Sequence, residues 1–201
     1  MSYVSKGATI SPCGTYRYRL WREWRLHPLP AHWDWWTEDD GSPCVDGAGQ
    51  QIGEPLSCVF VMLNPSTADG DQDDPTIRRC VSFAKALGYD RLEVVNLFAY
   101  RATKPADLLR LNHDDEPWGP ANRLNINTAL DLAGIVICAW GVHGTHLGQD
   151  ETVLGWLEWW IDSLDRDVPI VALGLTKDGH PRHPLYLPAN SQPVPFRASH
   201  K

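Results

Sequence analysis

The sequence predicts an α/β fold: a three-layer α/β/α sandwich in which a central four-stranded parallel sheet lies between two layers of helices. Four short apolar runs, each suited to a strand buried on both faces, lie at 58–63, 92–98, 134–140 and 168–174. Segments with helical spacing separate these runs. Strands that alternate with helices join through right-handed crossovers, which make the sheet parallel and leave helices on both of its faces.

The length of 201 residues suits one domain with a single hydrophobic core. We expect this domain to span 1–201, with an N-terminal strand and irregular extension over 1–57 and the core over 58–188. No run approaches the ~20 apolar residues of a membrane span, and the N-terminus lacks the apolar segment of a secretory signal. The sequence therefore predicts a soluble, cytoplasmic protein that does not bind membranes.

The N-terminal segment alternates with a period of two, which is typical of a strand. One face is expected to carry Tyr16, Tyr18, Leu20, Arg22 and Trp24, and the other Arg17, Arg19, Trp21, Glu23 and Arg25. The following stretch, 27–54, is rich in Pro, Gly, Trp and acidic residues and shows no clear period. We interpret it as a long irregular excursion.

The helices of the core are marked by their ends and their spacing. Asp74 and Pro75 predict a helix start, since Asp caps a helix and Pro fits its first turn. Apolar residues then recur at helical spacing until Gly88 predicts the end of the helix. Further helical segments are predicted at 105–111, 119–132 and 150–164.

Polar side chains follow every predicted strand of the core, at the edge of a parallel sheet where ligands bind. They are Asn64 and Asp69 after the first strand, Asn96 near the end of the second, His143 after the third, and Lys177, His180 and His183 after the fourth. Asn96 lies within an apolar strand, where an unpaired amide costs about 1–3 kcal/mol. Its side chain either binds the backbone or faces a ligand, and we favour the ligand.

The net charge of −7 conceals an uneven distribution of charge. Residues 1–30 hold five basic side chains against one acidic, and residues 177–201 hold four against one with three histidines in addition. A local positive face is enough to contact phosphates, so the distribution permits a nucleic-acid partner. Solvated, charged termini explain the charge equally well.

The acidic loop 69–74 begins like a calcium-binding EF-hand loop, but it departs from that pattern at two essential positions. Asp74 stands where the turn requires Gly, and Cys80 stands where the bidentate Glu belongs. His143 and His146 lie three residues apart without an evident third ligand. We therefore predict neither a metal site nor a cofactor.

Three segments carry a resemblance to known proteins. They are LNPST after the first strand, VVNLFAYRA along the second, and HPLYL after the last. Together they resemble a bacterial and phage family catalogued as a domain of unknown function, and the three motifs of the uracil-DNA glycosylase superfamily. The resemblance covers about 58–188. Two departures stand out: Asn64 replaces the Asp of the fastest members, and Leu185-Tyr186 follows the Pro in place of Ser-Pro.

The resemblance implies a monofunctional DNA glycosylase that flips a modified base out of double-stranded DNA and hydrolyses its N-glycosidic bond, leaving an abasic site. The association with phages favours a hypermodified phage base and a role in anti-phage defence, with no obligate protein partner. Asn64 would hold the attacking water, with Asp69 as a base, and Asn96 would read the base edge. Further expected roles are leaving-group stabilisation by His183, base stacking by Phe98 or Tyr100, filling of the vacated stack by Leu185 and Tyr186, and phosphate binding by Lys177 and Arg182.

Two other functions remain open from the sequence. The first is a hydrolase or transferase that acts on free modified nucleotides, with a metal bound through the 69–74 loop. The second is a non-catalytic module that binds modified DNA through the Arg-aromatic N-terminal strand. Release of a free base from DNA would distinguish a glycosylase from both of these functions.

Overall fold

A seven-stranded mixed sheet organises the protein. The computed structural model describes residues 3–24, 56–66, 68–163 and 167–196. The strands are β1 (Ser5–Ile10), β2 (Arg17–Glu23), β3 (Ser57–Met62), β4 (Arg91–Asn96), β5 (Ala133–Cys138), β6 (Ile170–Ala172) and β7 (Val194–Pro195). The helices are α1 (Pro75–Ala86), α2 (Pro105–Leu108), α3 (Asn122–Leu130) and α4 (Gln149–Asp162). The stretch 27–54 and the side chain of Arg25 lie outside the described residues.

The four apolar runs of the sequence form the centre of the sheet. In the strand order β1-β2-β4-β3-β5-β6-β7, the pairs within β4-β3-β5-β6 are all parallel. Antiparallel strands extend both edges, with β1 and β2 beside β4 and β7 beside β6. The prediction of a parallel core is confirmed, but the sheet is larger and mixed, with seven strands in place of the predicted four. The N-terminal strand expected from the alternation is β2. The described part of the N-terminal extension belongs to the sheet itself.

Helices cover both faces of the sheet, so three layers are present. Along β3, Phe60 and Met62 point towards α1, whereas Val59 and Val61 point towards α3 and α4. All six residues of β3 are buried. This burial on both faces explains why the strand is a continuous apolar run and does not alternate.

Helix α1 begins and ends where the sequence predicts. The Oδ1 atom of Asp74 accepts a hydrogen bond from the backbone N–H of Ile77 at 2.8 Å, and Pro75 occupies the first turn. The helix ends before Gly88, which adopts φ 86°, a conformation that favours glycine. The cap therefore holds Asp74 at the sheet edge where β3 ends.

Strand β2 contains an irregularity that reorients one arginine. Thr9 pairs with Arg19 and Ile10 pairs with Arg17, so Tyr18 is an extra residue in β2, as in a β-bulge. Arg17 Nη1 consequently donates to the Ala68 carbonyl, in the same loop that Arg22 contacts. The prediction that Arg17 shares a face with Arg19 is therefore wrong, because strict alternation does not hold across the extra residue.

The other arginines of β2 form ion pairs within the fold. Arg19 binds both oxygens of Glu93 at 2.8 Å, and Arg91 binds the same carboxylate. Arg22, with no exposed side-chain surface, lies 2.7 Å from Asp73. These cations are thus compensated by acidic side chains of the sheet and the 69–74 loop.

Among the described helices, none is long and apolar enough to cross a membrane.

Candidate functional site

A cavity of about 710 Å³ opens at the carboxyl ends of the parallel strands. Its walls come from the loops after β3, β4, β5 and β6, from the start of α1 and from the start of β2. This position is where α/β sheets bind ligands. Six of the predicted site residues line it: Asn64, Asn96, Arg182, His183, Leu185 and Tyr186.

Asn96 places an unpaired amide in this cavity. The residue ends β4 and is only 1% exposed. Neither Oδ1 nor Nδ2 of its side chain has a hydrogen-bond partner among the described residues. Such a group costs about 1–3 kcal/mol when it stays unsatisfied. Of the two alternatives left open by the sequence, binding to the backbone is therefore not observed, and the residue with the unpaired amide lies at the wall of the cavity.

Asn64 follows β3 and is held in one orientation. Its Nδ2 atom donates to the carbonyl of Ala102 at 2.8 Å and to the carbonyl of Pro65 at 3.1 Å. Because both amide hydrogens are directed at the backbone, Oδ1 remains as the acceptor of this side chain. An oriented acceptor of this kind suits the positioning of a water molecule or of a ligand N–H.

His183 precedes a short 3-10 turn, Pro184–Tyr186, and lines the cavity. Its Nδ1 atom accepts a hydrogen bond from the backbone N–H of Leu185 at 3.3 Å, so the neutral ring carries its proton on Nε2. Burial lowers the pKa of His183 below its ordinary value, and the nearby carboxylate of Asp74 opposes that shift. At neutral pH the imidazole is therefore an uncharged donor.

This assignment predicts the titration of His183. The imidazole is expected to be half-protonated at a pH below 6.5, the ordinary pKa. Asp74→Asn should lower the pKa further, because it removes the charge that favours imidazolium. NMR titration of the ring, assigned with His183→Gln, measures both values. Asp71→Asn, in the exposed part of the same loop, is the control, and a midpoint above 6.5 would contradict the assignment.

Two charged side chains line the cavity although no sequence pattern predicts a role for them there. Asp74 was predicted only as a helix cap, yet its Oδ2 atom accepts a hydrogen bond from Ser66 Oγ at 2.6 Å at the cavity wall. Arg17 reaches the cavity from β2 and is 3% exposed. Asp74 could have been recognised from the sequence, because a helix-capping carboxylate closely follows the polar residues at the end of β3. No feature of the sequence indicates that Arg17 lines the cavity.

Asp69 does not line the cavity. Its Oδ1 atom accepts hydrogen bonds from the backbone N–H groups of Gln72 and Asp71, both at 2.8 Å, and these bonds lower the pKa of the carboxyl group. Asp69 therefore shapes the loop. Among the aspartates of the 69–74 loop, Asp74 is the one that lines the cavity.

The two aromatic residues predicted to stack on a base lie elsewhere. Phe98 is fully buried in the core on the side of α3 and α4, and Tyr100 packs edge-on against Tyr16 at 6.4 Å. Neither lines the cavity, whose aromatic side chains are Trp140 and Tyr186. The prediction failed because regular alternation stops where β4 ends at Asn96.

The rim of the cavity is exposed and partly basic. Leu185 and Tyr186 are 42% and 71% exposed, and the exposed Arg182 lies beside them. Lys177 lies in the neighbouring turn and does not line the cavity. The structure thus brings three of the four predicted DNA-contacting side chains to one rim.

The described residues contain no group of three or more His, Cys, Asp or Glu side chains arranged to hold a metal ion. In the acidic loop, Asp73 binds Arg22 and Asp71 pairs with Lys6. His146 contacts the carbonyl of Leu111 at 3.1 Å. The carboxylates of this loop are therefore engaged in contacts that shape it.

One family model matches the chain. The model described as "Protein of unknown function (DUF1643)" covers residues 48–185, which include strands β3 to β6 and most of the cavity wall. Comparisons with curated proteins and with solved structures give no significant match. Since the matched segment is well over half of the chain, the protein belongs to the DUF1643 family.

Proposed function

We propose that the protein is a DNA glycosylase that binds an extruded, modified base in the 710 Å³ cavity and hydrolyses its N-glycosidic bond. The observation that carries the proposal is the buried, unpartnered amide of Asn96 in a cavity that also holds Asn64 and His183. The motif resemblance adds support. The substrate would be a hypermodified base of a phage genome, and the role would be defence.

The amide of Asn96 suits recognition of a base edge. A primary amide offers one acceptor and two donors in a plane, which complement the adjacent C=O and N–H groups of a nucleobase. When such a base binds, the desolvation cost of the unpaired amide is recovered. A site with buried polar groups also rejects ligands that lack the matching groups, so the amide supports selectivity as well as affinity.

The reaction needs water at C1′ and stabilisation of the departing base. The water oxygen forms a bond to C1′, while the C1′–N bond breaks and its electron pair moves to the base. The Asn64 Oδ1 atom would hold the water, and the carboxylate of Asp74 would accept the released proton and favour the cationic sugar. The Nε2–H group of His183 would donate to the base oxygen as negative charge develops there.

The size and rim of the cavity fit a modified base in duplex DNA. Pockets for drug-sized ligands measure about 300–1,000 Å³, so the cavity has room for a base with a large substituent. The exposed Leu185 and Tyr186 are apolar side chains of the kind that fill the gap left by a flipped nucleotide. Arg182 and Lys177 would bind the neighbouring phosphates.

The two alternatives have weaker support. A metal-dependent nucleotide hydrolase would use the 69–74 loop, whose Asp69 and Asp73 are bound to backbone N–H groups and to Arg22. A module that binds DNA through β2 would need its arginines at the surface. Arg19 and Arg22 instead form ion pairs within the fold.

The direct test is incubation of the purified protein with hypermodified phage DNA, unmodified DNA and uracil-containing duplex, followed by detection of alkali-labile abasic sites. Wild type should produce abasic sites in the modified DNA, and Asn64→Ala should lower the rate at least about a hundredfold, since it removes an oriented transition-state contact. Asn125→Ala, a partly buried asparagine of α3 outside the cavity, is the control. Equal signals from wild type and Asn64→Ala on every DNA would refute the proposal.

A further inference from the structure

We propose that Arg17 gives the cavity a second subsite, which binds a carboxylate or phosphate group of the ligand. The inference goes beyond base excision, because it concerns the charge of the ligand and does not require cleavage. It rests on the proposed function only in that both use the same cavity.

Arg17 is a buried cation whose donors are not all used. The side chain is 3% exposed and lines the cavity. Nη1 donates to the carbonyl of Ala68, whereas Nε has no hydrogen-bond partner among the described residues. A guanidinium group has five N–H donors and no acceptor, so only an acceptor can complete its bonding.

The other two arginines of β2 are each paired with a carboxylate. Arg22 is fully buried and lies 2.7 Å from a carboxylate oxygen of Asp73. Arg19 binds Glu93 through two parallel hydrogen bonds. Within the described residues, Arg17 makes no ion pair of this kind. A buried charge without a direct counter-ion is unfavourable, and an anionic ligand group would compensate it.

The extra residue in β2 is what directs Arg17 into the cavity. Without Tyr18 as an added residue, strict alternation would put Arg17 on the side of Arg19, away from the loop at Ala68. Bulges that reorient a side chain are common beside functional sites. A role for Arg17 in the cavity therefore explains why β2 contains this extra residue.

The carboxylate of Asp74 favours the protonated form of Arg17 but forms no direct ion pair with it. Its oxygens accept hydrogen bonds from Ser66 and from the N–H of Ile77. Burial lowers the pKa of Arg17 to about 10, and Asp74 opposes this shift, so the guanidinium is protonated at neutral pH. Asp74 forms no direct ion pair with Arg17, and the buried Nε–H of Arg17 has no acceptor among the described residues. An oxyanion provides the strongest acceptor for such a charged donor.

Two sources supply this chemistry: a carboxylate on the modified base and a phosphate of a nucleotide. NMR on the full ¹⁵N-labelled chain can follow the Nε–H signal of Arg17, assigned by its loss in Arg17→Gln, and the side-chain amide of Asn96. The probes are 5-carboxyuracil against its neutral isostere 5-carbamoyluracil, deoxyuridine monophosphate against deoxyuridine, and inorganic phosphate. The first pair tests the base substituent, and the second pair and inorganic phosphate test the phosphate.

We expect the anionic member of at least one pair to shift the Arg17 Nε–H signal and to bind at least about tenfold more tightly than its neutral partner, as charge-assisted hydrogen bonds do. Arg17→Gln should remove that preference, whereas Arg19→Lys, on the same strand but outside the cavity, should retain it. Equal affinities within both pairs, or an Arg17 signal that no probe moves, would overturn the subsite. A shifted Arg17 signal with no base release from any DNA would reject the glycosylase and leave the subsite standing.

Discussion

Asn96→Leu is expected to abolish base excision and to leave the protein at least as stable as the wild type. The amide of Asn96 is 1% exposed and has no partner among the described residues, so its removal breaks no side-chain hydrogen bond there. Leucine has a similar size and removes an unsatisfied buried amide, which costs about 1–3 kcal/mol. Excision should fall at least about a hundredfold, because the base edge loses its donor and acceptor.

Urea unfolding and single-turnover excision measure the two effects separately, and Asn122→Ala is the matched control. Asn122 is also buried, at 2% exposure, but its Nδ2 atom donates to the carbonyls of Asn96 and Leu97 at 3.0 and 3.3 Å. Its loss should lower the free energy of unfolding by about 1–3 kcal/mol. An Asn96→Leu protein that is as destabilised as this control and still active would show that Asn96 is a structural residue.

Asp73→Ala is expected to cause the largest loss of stability. The side chain of Arg22 has no exposed surface, and Asp73 is the carboxylate bound to it, at 2.7 Å. The same carboxylate accepts a hydrogen bond from the Tyr3 hydroxyl at 2.5 Å. Its removal would leave a buried guanidinium without a carboxylate partner among the described residues, and breaking such a pair costs about 3–5 kcal/mol.

Chemical unfolding of Asp73→Ala beside Asp71→Ala tests this expectation within one loop. Asp71 pairs with Lys6 at 3.3 Å, but its side chain is 89% exposed. Exposed ion pairs contribute about 0–1 kcal/mol, so this control should unfold almost like the wild type. Similar, small losses for both variants would mean that the carbonyls around Arg22 are sufficient to hold it without Asp73.

The central sheet was predictable from the sequence because strands buried on both faces appear as continuous apolar runs. Strand β3 is buried along its whole length and appears as an unbroken apolar run. Strand β2 was recognisable from its alternation, whereas β1 and β7 show neither pattern. Strand β1 contains Lys6 and Gly7 and is mostly half-buried, and β7 has only two residues, one of them a proline. Strand β7 is therefore too short, and β1 too polar, to appear as an apolar run in the sequence.

The candidate site was predictable as far as regular strand geometry extends. Asn64, Asn96 and His183 were expected to meet because the carboxyl ends of parallel strands share one edge, and all three line the cavity. Irregular backbone explains the failures. Phe98 lies beyond the end of β4, where alternation no longer determines its direction, and Arg17 reaches the cavity through an extra residue that pairing alone reveals.

Mass spectrometry of the small molecules released from DNA distinguishes base excision from nucleotide hydrolysis and from DNA binding alone. The protein would be incubated with duplex DNA that carries hypermodified bases and, separately, with the matching mononucleotides. We expect a free modified base and an abasic strand from the DNA, no comparable release from mononucleotides, and no product with Asn96→Leu. Conversion of mononucleotides alone, or salt-sensitive binding of DNA without any released base, would contradict it.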